Sequence, residues 1–175
     1  MVPKRRVGDR PKHPIEASPA PAPARARGAS GRPWLLDAAL LAALLLVLHG
    51  RYLLWPFISD DFVFLDASRG IGQLFSSFDV YSNYFRPIGR ELYFLLGHAL
   101  AGHHPLPFHV FNFLVLLGVV LLVVALAGRL AGPRAGLLAG GAYALLYSHR
   151  LALAWVSCAQ DLLAALFAML SIHAP

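Results

Sequence analysis

Cysteine is almost missing from this chain: Cys158 stands alone among 175 residues. An internal disulfide is therefore excluded, and so is any cysteine metal cluster. Charge is scarce too, at 14% of residues, where a soluble domain carries about a quarter. The histidines His98, His103, His104 and His109 come without an H-E-x-x-H pattern, so loop or interfacial histidine is their simplest reading. No aromatic or glycine pattern of an RNA-binding module accompanies the basic residues, which argues against nucleic acid as a partner.

What the chain has in abundance is apolar surface. Hydrophobic residues make up 58%, and the mean hydropathy is +0.60. The apolar residues come in long blocks, which implies an all-α polytopic membrane protein. The net charge of +6 is concentrated at one end. Lys4, Arg5, Arg6, Arg10, Lys12, Arg25, Arg27 and Arg32 precede the first apolar block, against Asp9 and Glu16. That asymmetry reads as a topology signal holding the N-terminus in the cytoplasm. Arginine outnumbers lysine while alanine and leucine dominate, as in GC-rich coding, which points to a bacterial plasma membrane.

Residues 1–33 are rich in Pro, Ala, Arg and Ser and read as a disordered basic tail. The basic stretch is too long for a signal peptide and lacks a small-residue cleavage site, so a retained anchor is expected. Residues 34–175 read as one transmembrane domain with about four spanning helices. The first, 34–55, has a wholly apolar centre between Trp34 and Trp55; Asp37, His49 and Arg51 lie near its ends, within reach of water. Residues 106–131 form the clearest span. The turn Arg129–Arg134 that follows is basic and so cytoplasmic. Residues 135–148 begin a third span, with Gly136 and Gly140 spaced for close helix packing. Asp161 opens a fourth apolar run that stops at Pro175, which suggests a piece of a larger protein.

Between the first two spans lies an outer loop, 56–105, long enough to hold structure and function of its own. Arg86 to Gly102 reads there as an amphipathic helix lying in the interface plane, with Ile88, Leu92, Leu95, Leu96 and Ala99 on one face. Pro87 suits its first turn.

Three strings could carry chemistry. Asp60 and Asp61 are adjacent acids at an apolar boundary; they are either a helix cap or a general base held where one carboxyl is hard to ionise. Arg86, in Tyr84-Phe85-Arg86-Pro87, is either a snorkelling arginine or a fork for phosphate oxygens, with Arg90 one turn further on. Asp161, in Trp155-Val156-Ser157-Cys158-Ala159-Gln160-Asp161, suits a helix start and is a possible outer-loop site residue.

Taken together, Ser59-Asp60-Asp61-Phe62-Val63-Phe64, Asn83-Tyr84-Phe85-Arg86-Pro87-Ile88 and Ala154-Trp155-Val156-Ser157 through Asp161-Leu162-Leu163-Ala164 resemble the GT-C superfamily of membrane glycosyltransferases. They are most similar to the protein O-mannosyltransferase type, including the tetratricopeptide-repeat transmembrane mannosyltransferases and bacterial relatives. The resemblance covers about residues 34–170. It implies transfer of a sugar from a polyprenyl-phosphate donor to a hydroxyl of a protein or glycan acceptor, at the outer face and with inversion. It implies Asp60 as catalytic base, Asp61 as the second acid, and Arg86 as a contact for the carrier's phosphate. No cofactor is implied, and a divalent metal stays open. The chain departs from the pattern at Cys158-Ala159-Gln160, where glycine and basic residues are usual, and at Ser148 to Leu153, where a His-Pro pair and an acid are usual. The competing class is a non-catalytic transporter segment or an assembly or anchor subunit. A transporter should carry polar groups or broken helices at mid-membrane.

Overall fold

A computed structural model of the protein describes residues 34–68, 70 and 86–174. The basic tail 1–33 and the residues Asn83, Tyr84 and Phe85 of the aromatic motif lie outside the described residues.

All regular structure among the described residues is helical. Helix α1 (Trp34–His49) continues as a 3-10 turn, Gly50–Leu54. The short helix α2 (Asp60–Ala67) follows, then a π-helical turn, Pro87–Leu92, that runs directly into α3 (Tyr93–Ala101). Next come α4 (Pro105–Ala131), α5 (Pro133–Ala144), α6 (His149–Ala154), a 3-10 turn Val156–Cys158, and α7 (Ala159–His173).

Three stretches are long and apolar enough to cross a membrane: Trp34–Leu54, Pro105–Ala131 and Val156–His173. The longest, α4, has 27 residues and spans about 40 Å at 1.5 Å per residue, more than the hydrocarbon thickness. This is an all-α membrane protein. The expected passage at 135–148 is not a continuous helix. Helix α5 stops at Ala144 after 12 residues, about 18 Å, and a turn separates it from α6.

The two pieces nevertheless retrace α4. Gly136 and Gly140 set α5 against it: a Cβ on Gly136 would lie 2.6 Å from the Val124 carbonyl oxygen, and one on Gly140 2.3 Å from a Val124 methyl. Further on, α6 reaches His109 and Asn112 near the start of α4. From Gly128 to His109 the pair accompanies α4 for about 28 Å.

One apolar core joins Leu41 and Leu45 of α1 to Leu116 and Val120 of α4, with Ala144, Leu153 and Leu162. Leu41, Leu45 and His49 recur every fourth residue and form the buried seam of α1, while Leu40, Leu46 and Val47 stay exposed. A second core is aromatic. Phe108 meets Phe57 at 5.3 Å, Tyr93 at 5.7 Å and Phe94 at 5.8 Å between ring centroids.

The breaks at the two ends of α6 loosen the helical bonding of nearby carbonyls, and lipid offers them no partner. Side chains take that role. His149 Nε2 donates to the Tyr143 carbonyl (2.8 Å) and His49 Nε2 to that of Ala144 (3.1 Å). His109 Nδ1 donates to the Leu153 carbonyl (2.8 Å), and Asn112 Nδ2 reaches those of Ala152 and Val156 (3.4 and 3.5 Å). His49 is therefore buried against α5 and does not reach water as its place near a helix end suggested.

Candidate functional site

The loop after α1 is tied to the start of α7 by one carboxylate. Asp61 is fully buried. Its Oδ1 accepts from the backbone N–H of Ser157 (2.7 Å) and from the Ser157 hydroxyl (2.5 Å), and its Oδ2 accepts from the Ile58 N–H (3.0 Å). Three donors around one buried acid satisfy both of its oxygens. Asp61 thus closes the turn ahead of α2 and anchors the turn ahead of α7.

Asp60 has the opposite environment. It is exposed at the first position of α2, and its Oδ1 accepts from the Ser59 hydroxyl at 2.9 Å. Ser59 itself has φ 48° and ψ −118°. A side-chain-bearing residue held there is strained, and the Asp61 clamp on either side of the turn is what holds it. A carboxylate at this end of α2 also meets the positive end of the helix dipole.

The two candidate arginines lie at and just before the π-helical turn, and they do different things. Arg90 Nε donates to Glu91 Oε1 at 2.6 Å, and its guanidinium lies over the Phe64 ring, 5.0 Å from the centroid. Its charge is committed to that pair and ring. Arg86 precedes the turn and lines a cavity of about 380 Å³ with Gly89, Gln160, Asp161, Ala164 and Phe167. The structure therefore brings Arg86 together with Asp161, and Asp60 is not part of that lining. Asp60 is the chain neighbour of Asp61, whose hydrogen bonds to Ser157 fasten this end of α2 to the segment that opens α7.

Beside this cavity runs an apolar groove of about 370 Å³ between the π-turn, α3 and the start of α4. Ile88, Leu92, Leu96, Leu100, Phe108 and Phe111 form most of it. Ile88 and Leu163 line both spaces. The leucine face of α3 is the open one; the face packed inward carries Tyr93 and Phe94.

Residues that pattern alone passed over complete the setting. The Tyr93 hydroxyl donates to Asn112 Oδ1 (3.0 Å). Burial first, then the Asp61 charge, push the Tyr93 pKa well up, against a smaller opposing effect of the Asn112 hydrogen bond. Tyr93 is a neutral donor at any ordinary pH. The signal for this network was present in the sequence: His109 and Asn112 are polar residues three apart in an otherwise apolar run, on one helix face. The histidines do not converge. His98 and His103 meet edge-on at 4.9 Å, while His109 turns inward to Leu153.

Comparison with protein-family models, with curated proteins and with solved structures finds no match to this chain.

Proposed function

We propose that the protein is a membrane glycosyltransferase of the GT-C kind, which moves a sugar from a polyprenyl-phosphate carrier to an acceptor hydroxyl at the outer face. The observation that carries this reading is the pairing of two spaces: an apolar groove along α3 and a charged cavity at Arg86, with Ile88 and Leu163 common to both. An amphiphile with a long tail and one anionic head has the shape and chemistry to lie across them.

In this reading the tail occupies the groove and Arg86 faces the phosphate. A carboxylate removes the acceptor proton as the hydroxyl oxygen attacks the anomeric carbon. The bond from that carbon to the phosphate oxygen breaks, and the lipid phosphate leaves with its added charge offset by the guanidinium. Attack from the side opposite the phosphate inverts the centre. Asp60 is the base by its motif and its exposure; Asp61, with its lone pairs engaged, holds the strained turn that presents it. Asp161 is a second reading of the base, favoured by its sharing a cavity with Arg86. The topology that goes with this function has a cytoplasmic N-terminus and a bacterial plasma membrane as its setting.

The test is sugar transfer from a polyprenyl-phosphate sugar by membranes containing the protein. Asp60→Asn is expected to abolish transfer with insertion intact. Full activity in Asp60→Asn together with none in Asp161→Asn moves the base to Asp161. Activity that survives both substitutions removes the enzymatic reading.

A further inference from the structure

Gly89 sits where the turn carrying Arg86 touches the start of α7. A Cβ built on it would lie 2.8 Å from the Gln160 Cβ and 3.0 Å from the Gln160 Cα. Real Cβ contacts do not come that close, and neither neighbour is the flexible end of a side chain, so a larger residue must push turn and helix apart. The contact falls on the wall of the Arg86–Asp161 cavity, which Gly89 and Gln160 both line. A second glycine fixes the same strap further along: a Cβ on Gly97 would lie 2.2 Å from the Phe108 ring. The segment 87–101 is thus seated by glycine at both ends, once on α7 and once on α4.

We propose that Gly89 is a positioning residue that sets the width of the headgroup cavity, so that Arg86 on one wall holds the phosphate of the head while Gln160 and Asp161 on the other face the sugar linked to it. The inference rests on the donor reading above and adds the residue that fixes its geometry. Gly89 touches no ligand. It acts by letting the π-helical turn rest on the Gln160 backbone. One added methyl moves Arg86 outward relative to α7, while the far part of the apolar groove, from Leu96 to Phe111 and seated by Gly97 on Phe108, keeps its shape. The signature is a loss of headgroup preference without a loss of tail binding.

The experiment measures binding of undecaprenyl phosphate and of undecaprenol, its uncharged counterpart, to the purified protein in detergent. The parent is expected to prefer the phosphate at least tenfold. Gly89→Ala should reduce that preference at least fivefold and leave undecaprenol binding within twofold. Gln160→Gly removes the nearer of the two colliding atoms, so adding Gly89→Ala to Gln160→Gly should cost less than half as much, on a logarithmic scale, as adding it to the parent. An unchanged preference in Gly89→Ala, or equal loss of both lipids, overturns the positioning role. If Gly89→Ala fails to fold, recovery of folding and of phosphate preference in the double variant supports it, and a double variant that folds no better overturns it. A parent that binds both lipids equally overturns the donor reading itself and this inference with it.

Discussion

Asp61 and Ser157 stand 96 positions apart, yet one carboxylate oxygen of the first receives both the backbone N–H and the hydroxyl of the second. The pair fastens the loop after α1 to the segment that opens α7, and Tyr93 and Phe94 pack in the aromatic core beside it. Asp60 owes its position to this fastening.

Asp61→Asn should destabilise the protein by about 1.5–3 kcal/mol, the usual worth of hydrogen bonds to a charged group. An amide keeps one acceptor, but its NH₂ then faces either the Ile58 N–H or the Ser157 donors. Ser157→Ala should cost less, because the Ser157 N–H still donates. Thermal unfolding in detergent measures both. Asp60→Asn, exposed and bonded only to Ser59 in the loop, serves as the comparison and should melt within a degree or two of the parent.

Two neighbouring glycines give opposite expectations. Gly136→Ala places a Cβ 2.6 Å from the Val124 carbonyl oxygen, whereas Gly141→Ala meets nothing within 4 Å. The first should cost about 1–3 kcal/mol through forced separation of α4 and α5. The second should be neutral or gain about 0.5–1 kcal/mol of helix propensity. Equal melting temperatures for the two would contradict the packing described for α5.

The two arginines should separate cleanly. Arg86→Ala is expected to weaken use of the lipid donor at least tenfold. Arg90→Ala should lower the melting temperature, because it removes both the hydrogen bond to the buried Glu91 and the cation over the Phe64 ring. Donor titrations and melting curves on the same preparations distinguish the two roles.

The helical, membrane-embedded character was legible because long apolar blocks have few other solutions. The close approach at Gly136 and Gly140 was legible as a spacing. The break after Ala144 was not, since Ala144-Leu145-Leu146-Tyr147 is as apolar as a continuous helix. What ends α5 is tertiary: His49 and His149 offer its last carbonyls an alternative to helical partners. The meeting of Arg86 with Asp161 was equally hidden, because 75 positions of chain separate them and only the fold closes that distance. Asp60 and Asp61 look alike on paper; the exchange of one solvent shell for three protein donors is what sets them apart.

The borrowed donors at the two ends of α6 impose an order on biogenesis. Three of the four, His49, His109 and Asn112, belong to helices made before the carbonyls they serve. A nascent segment 143–156 released into lipid alone would lack the donors of His49, His109 and Asn112 where hydrocarbon supplies none. It can settle only against α1 and α4 already in place, so the ribosome delivers the scaffold first and the irregular piece second.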